Sequence, residues 1–209
     1  MTRFIVVRHG QTRWNVEMRV QGQEDSPLTG EGLAQAEAIA ERLSKEHFDV
    51  LVSSDLGRAI QTAEPIARRC GLAIVRDARL RERHFGEGEG LSYDEIDRRW
   101  PDAFSRIRET DPDAMIPGGE TRRQFHDRVH RAFEALVREH EGKRVAVVTH
   151  GGVLAALYRM VHSIPVGRPH KIAISNASYN AIAFAADAWS VETWDDVSHL
   201  PAAAGFVES

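Results

Sequence analysis

Two arginines, two histidines and one carboxyl group stand where an α/β sheet would gather them. Arg8 and His9 follow the apolar run Arg3 to Val7, and Arg58 comes shortly after Ser53-Ser54-Asp55. Glu82 follows a third short β-branched segment, while His150 and Gly151 follow Val145 to Thr149. In open α/β sheets the ligand crevice lies beyond the carboxyl ends of the strands, so these residues would converge on one crevice. The set suits a tetrahedral dianion. A guanidinium offers a planar fork of donors that matches phosphate oxygens, and it keeps its charge at any physiological pH. A histidine between two such cations has its protonated form disfavoured, which leaves a ring nitrogen free to attack phosphorus. An effective dielectric near 20 makes each cation about 4 Å from the developing charge worth on the order of 4 kcal/mol before desolvation. The leaving alkoxide also needs a proton. Beside a bound dianion a partly buried Glu82 carboxyl would have its pKa raised, so it could donate that proton and later take one from water.

Each position alone has a plainer explanation. A single Arg-His-Gly is a weak signal, Arg58 reads as a solvated helix residue, and His150 reads as a hydrogen-bonded core histidine. Their joint placement after successive strands is what points to a site.

The elements that would position them are legible as an alternation of short β-branched runs with longer segments of helical period. Strands are expected at Arg3 to Val7, Phe48 to Val52, Leu72 to Val75 and Val145 to Thr149. Thr29 opens a helix with Leu33, Ala36, Ile39, Ala40 and Leu43 on one face, and Gly57 to Arg69 forms another, closed by Gly71. From Leu80 to Glu120 glycine and proline punctuate an excursion over the sheet, holding one short helix from a Ser92/Glu95 capping box to Trp100. A long helix is expected from about Thr121 to Glu141, with Phe125, Val129, Phe133, Leu136 and Val137 inward. A last helix runs to His162, and Ala177 to Thr193 supplies antiparallel edge strands. The expected fold is a three-layer α/β/α sandwich with a mostly parallel central sheet and an antiparallel edge. It is read as a single domain over 1–209 with a cover at about 80–120.

Composition narrows the function classes. The 209 residues are 42% hydrophobic and 28% charged, which excludes a disordered chain and a disulfide-stapled miniprotein. With 27 Lys+Arg against 31 Asp+Glu the formal net charge is -4, and the signs are mixed along the chain. No long-range field draws nucleic acid, so any anion site is local. Cys70 is the single cysteine, and no apolar run approaches the roughly 20 residues needed to span a bilayer. A cytoplasmic protein acting on a small phosphorylated partner is expected, with neither nucleic acid nor membrane, as a monomer or homodimer.

Further motifs sharpen this. Arg8-His9-Gly10-Gln11-Thr12 with Asn15 resembles the signature of the histidine phosphatase superfamily, in its phosphoglycerate-mutase-like branch. The likeness continues in order through Gln21-Gly22, Asp25-Ser26-Pro27-Leu28-Thr29, Ser53-Ser54-Asp55 with Arg58, Ala59 and Thr62, and Leu80 with Glu82. Gly86, Gly90, Gly118-Gly119-Glu120 and Val148-Thr149-His150-Gly151-Gly152 extend it over all but about the last 20 residues. The resemblance implies a phosphoglycerate-mutase-like fold and a phosphohistidine enzyme. His9 would be the nucleophile, Arg8, Arg58 and His150 would hold the phosphoryl group, and Glu82 would be the acid/base. It places Thr12, Asn15, Gln21, Gly22 and Gly151 around the phosphate and calls for no metal.

Two activities fit that pattern. Glu82-Arg83-His84-Phe85-Gly86 resembles the Glu-Arg-His-Tyr-Gly of the mutases, which would use 2,3-bisphosphoglycerate. The mutases carry a longer insertion with a lysine and an arginine pair, whereas about 30 residues without lysine separate Gly86 from Gly118 here. A short, proline-broken cover suits poorly the retention of a bisphosphate, so the expectation is a cofactor-independent phosphatase, with the mutase as alternative. A non-catalytic phosphate-binding module has least support, because all five reactive residues are present.

Other residues take bland readings. Trp14, Phe85, Met115 and Ile116 are read chiefly as packing rather than a substrate wall, while Arg13, Arg81 and Arg83 could greet an acidic substrate, a solvated charged surface being at least as good a reading. His126 and His130 have zinc-like spacing on a helix, but no third ligand is evident and they are read as exposed.

Overall fold

The Phe4 and Val6 side chains of the first strand face one apolar cluster, and Ile5 and Val7 face another, so this strand is buried on both sides. The computed structural model describes residues 1–201; the end of the sequence read as 1–209 lies outside the described residues. The strands are β1 (Thr2–Arg8), β2 (Val50–Ser53), β3 (Ile74–Arg76), β4 (Arg144–Thr149), β5 (Tyr179–Ala185) and β6 (Ala188–Asp196). The helices are α1 (Arg13–Val16), α2 (Gly30–Leu43), α3 (Gly57–Cys70), α4 (Tyr93–Arg99), α5 (Pro101–Arg108), α6 (Arg122–Glu139) and α7 (Gly151–Val161).

One sheet has the order β3-β2-β4-β1-β5-β6. β1, β2, β3 and β4 are parallel, while β5 pairs antiparallel with β1 and β6 with β5. Ile39 and Leu43 of α2 and Ala59, Ala63 and Ile66 of α3 cover the face carrying Ile5 and Val7. Phe125, Val129, Phe133 and Leu136 of α6, with Leu154 and Leu157 of α7, cover the other. The expected three layers and the antiparallel edge are therefore present, the edge being two strands wide. Among the described residues no helix is long and apolar enough to cross a membrane.

Several boundaries differ from the sequence reading. β2 and β3 both run later than expected, because their pairing register joins Leu51 to Ile74 and Ser53 to Arg76. Leu33 is 52% exposed, so the inward stripe of α2 starts at Ala36. The cover holds two helices rather than one. Pro101 opens α5 at its first turn, where the missing N–H costs nothing, so this proline starts a helix instead of breaking the chain. Ile96 and Ile116 bury against Val20 there, with Trp100, Phe104 and Ile107 packed around them. The cover thus has a small apolar core of its own.

Candidate active site

β1 and β4 are neighbours in register, with Arg8 opposite Thr149, and the His9 N–H donates to the Thr149 carbonyl at 2.9 Å. That pairing brings the residues after each strand together. The rings of His9 and His150 have centroids 5.3 Å apart at an interplanar angle of 59°. Both histidines are almost fully buried, at 3% and 0% exposure. Burial first, and then the positive charges of Arg58 and Arg8, hold the His9 pKa well below the ordinary imidazole value. His150 is held low in the same way by burial, Arg58, His9 and Arg8. Both rings are therefore neutral at pH 7.

The His9 tautomer follows from its partner. His9 Nδ1 lies 2.8 Å from the Gly10 carbonyl oxygen, so it carries the proton and donates, and Nε2 keeps a lone pair. The Gly10 N–H donates to Thr62 Oγ1, which in turn donates to the Arg58 carbonyl, tying the turn after β1 to α3. The His9 carbonyl accepts from Asn176 Nδ2 at 3.1 Å. His150 Nε2 sits 2.8 Å from Ser54 Oγ, and Nδ1 is buried with no partner among the described residues. Ser54 Oγ also accepts the Leu56 N–H at 3.4 Å, which fixes the hydroxyl against the ring.

The arginines are aimed by main-chain carbonyls. Arg58 is 1% exposed and donates to the Glu24 and Gly22 carbonyls at 2.8 and 2.7 Å, with Asp25 Oδ1 at 3.3 Å. Its Nε is buried with no partner among the described residues. Burial lowers its pKa, and the charges of Glu82 and Asp25 oppose that. Arg8 donates from Nη1 to the Ile174 carbonyl at 2.6 Å.

Glu82 is held at the start of α7, where Oε2 accepts the Gly152 N–H and Oε1 accepts the Arg83 N–H, both at 2.8 Å. A Cβ on Gly152 would fall 2.1 Å from Glu82 Oε1, so glycine is what lets the carboxyl approach. Arg128 fastens the preceding stretch by donating to the carbonyls of Arg79, Arg81 and Glu82 while paired with Glu120.

Arg8, His9, Arg58 and Glu82 share a cavity of about 400 Å³ with Asn15, Gln21, Gly22 and Gly151. His150, expected to hold the phosphoryl group, is 0% exposed and is not part of that lining, and Thr12 is the other exception among the expected phosphate-binding residues. It is fully buried outside that lining, caps α1 in a reciprocal box with Asn15, and donates to Gln21 Oε1 at 3.0 Å. Thr12 therefore orients two lining residues rather than facing the ligand. Of the four weighed as an apolar wall only Phe85 lines the cavity; Ile116 is core and Met115 is 46% exposed.

Three features escaped the sequence reading. Arg81 is matched by Asp55 through two hydrogen bonds at 2.7 and 2.6 Å, whereas Arg83, which the sequence left between surface and a contact to an acidic substrate, is 6% exposed and lines the cavity. His126, read as exposed, also lines it, and burial pushes its pKa down to about 4; His130 instead faces Glu134. Glu89 joins the Gly22 loop to the cover, accepting from the N–H groups of Gln23, Glu24 and Phe85. Only Arg83 and His126 carried a signal, as basic residues flanking apolar positions.

A model of the histidine phosphatase superfamily, branch 1, matches residues 4–197. The chain belongs to that superfamily. It is 42% identical over 210 residues to "Phosphoglycerate mutase-like protein 4" of Arabidopsis thaliana, covering 99% of this chain and 90% of that one. It is also 42% identical over 212 residues to "Metal-independent phosphoserine phosphatase" of the same plant, covering 100% and 87%. Among solved structures it resembles "Bacillus stearothermophilus YhfR" with a TM-score of 0.87 and 34% identity, over 95% of this chain and 99% of that one. Relatives of this chain thus carry both mutase and phosphatase names.

Proposed function

We propose that this chain is a metal-independent phosphomonoester hydrolase acting on a small phosphorylated metabolite through a phosphohistidine at His9. The observation that carries the reading is the state of His9: neutral, with Nδ1 committed to the Gly10 carbonyl and Nε2 unprotonated between Arg8 and Arg58. In the first step Nε2 attacks phosphorus, an N–P bond forms, the P–O bond to the organic group breaks, and Glu82 gives the leaving oxygen a proton. In the second step water attacks phosphorus, Glu82 takes its proton, the N–P bond breaks, and inorganic phosphate leaves. Arg8, Arg58 and His150 stabilise the equatorial oxygens, the role that Mg²⁺ fills in other phosphoryl-transfer sites. The cavity lies within the range of small-molecule sites.

A second reading is a 2,3-bisphosphoglycerate-dependent phosphoglycerate mutase, favoured by Glu82-Arg83-His84-Phe85-Gly86 and by the name of one relative. The short cover and the phosphatase name of the other relative support hydrolysis. Phosphate release from a panel of phosphomonoesters in EDTA, with and without 2,3-bisphosphoglycerate and beside His9→Ala, separates the two. His9-dependent release that ignores the bisphosphate is expected. Bisphosphate-dependent interconversion of 2- and 3-phosphoglycerate with little release would overturn hydrolysis in favour of the mutase.

A further inference from the structure

The cavity has a second pole of positive charge that phosphoryl transfer at His9 does not use. Arg83 comes from the stretch after Glu82, Arg122 and His126 stand one turn apart on α6, and Arg159 projects from α7; all four line the cavity. Arg83 and Arg159 are 6% and 8% exposed.

Their partners are unlike those of the neighbouring arginines. Arg79, Arg81, Arg123 and Arg128 each pair with a carboxylate. Arg83 instead donates to the Glu120 and Ala114 carbonyls, Arg122 to the Ile107 carbonyl, and Arg159 to the Pro165 carbonyl at 2.8 Å. Among the described residues none of the three makes a salt bridge. Burial and then mutual repulsion tell on them: Arg83 is pushed down to about 10 by burial and by Arg122, against the opposing charges of Glu120 and Glu82, and Arg122 is lowered by burial and by Arg159. Buried cations that donate to carbonyls instead of pairing with a carboxylate are costly, and a ligand that brings negative charge into direct contact recovers part of that cost. His126, neutral beside them, adds a ring donor without adding to the repulsion.

We propose that Arg122 and Arg159, with Arg83 and His126, form a second anion site for the substrate's leaving group, so that the substrate is a phosphomonoester carrying a further oxyanion. This rests on the phosphatase reading and names its substrate class. A carboxylate and a second phosphate both present oxygens to a guanidinium fork. The lining also includes Phe125, Ala155 and Ile174, apolar surface against which a short carbon linker can lie.

Matched substrate pairs test the site. One pair is 3-phosphoglycerate against glycerol 3-phosphate, and the other is propane-1,3-diol bisphosphate against its monophosphate. The wild-type enzyme is expected to favour the charged member of at least one pair by about tenfold or more in kcat/KM, as charge-assisted hydrogen bonds imply. Preference confined to the first pair identifies the anion as carboxylate, and to the second as phosphate. Arg122→Gln and Arg159→Gln should each reduce that ratio by about tenfold, through KM, with Arg159→Lys restoring part of it. Equal turnover within both pairs, or a preference that survives both substitutions, would overturn the proposal. Calorimetric binding of the same pairs to His9→Ala reads the discrimination without turnover. Failure of hydrolysis with retained discrimination would therefore count against the phosphatase reading alone, and loss of discrimination in both proteins against the second site.

Discussion

His9 and His150 face each other across the ends of two paired strands, 5.3 Å between ring centroids, and each commits one ring nitrogen to a neighbour. His9 uses Nδ1 on the Gly10 carbonyl, so its Nε2 presents a lone pair, and His150 uses Nε2 on Ser54. Two cationic imidazoles at that distance, beside Arg8 and Arg58, would repel strongly, and burial adds to the same effect. NMR of histidine-labelled protein should find both rings neutral at pH 6, with His9 protonated on Nδ1. Arg58→Ala removes a neighbouring cation, so the His9 pKa should move up; an unchanged or lower value would contradict the electrostatic account.

Arg58→Ala should also lower kcat by about 10²–10³, the usual scale for loss of one charge-stabilising donor. Arg58 is fixed by the Gly22 and Glu24 carbonyls and has a buried Nε without a partner among the described residues, so its geometry is set before a phosphoryl group arrives. A loss below about threefold would place it outside the reacting centre.

Glu82→Gln keeps the size of the side chain but removes the transferable proton. Alkyl phosphates, whose leaving oxygens need that proton, should lose far more kcat than aryl phosphates, whose leaving groups depart as anions. Equal losses on both classes would reject the acid role.

Stability should fall with acid over a defined window. His126 is pushed down to about 4 in the folded chain, against an ordinary value near 6.5, and burial is the first cause. Between those values the unfolded chain binds more protons than the folded one, so stability is full above the upper value and declines towards the lower. His9 and His150 shift in the same direction and add to the slope. The melting temperature should drop by several degrees from pH 7 to pH 5, and His126→Gln should flatten part of that drop. A melting temperature that rises over this range would contradict the sign.

Much of this was legible in the sequence because strand ends announce themselves. Uninterrupted apolar runs locate β1 and β4, and the residues directly after them are the ones the register brings together. The capping box at Ser92 marked a helix start in the same local way. What stayed hidden depends on partners distant in the chain. Arg81 and Arg83 are two residues apart and look alike, yet Asp55 claims one and the cavity takes the other. Thr12 carries the residue type of a phosphate ligand, but its place as the cap of a single-turn helix turns it inward. Pro101 read as punctuation of the cover because a proline ends the helix that runs into it; the packing of Phe104 and Ile107 against the cover's own core is a tertiary fact.

The most direct test of the central claim is rapid quenching of the wild-type enzyme with a fast aryl phosphate, followed by mapping of the phosphorylated peptide. An acid-labile, base-stable phosphoryl group on His9 that forms and decays at the rate of turnover, and is absent from His9→Ala, is the predicted result. Full turnover in His9→Ala, or a phosphoryl group that maps to another residue, would contradict it.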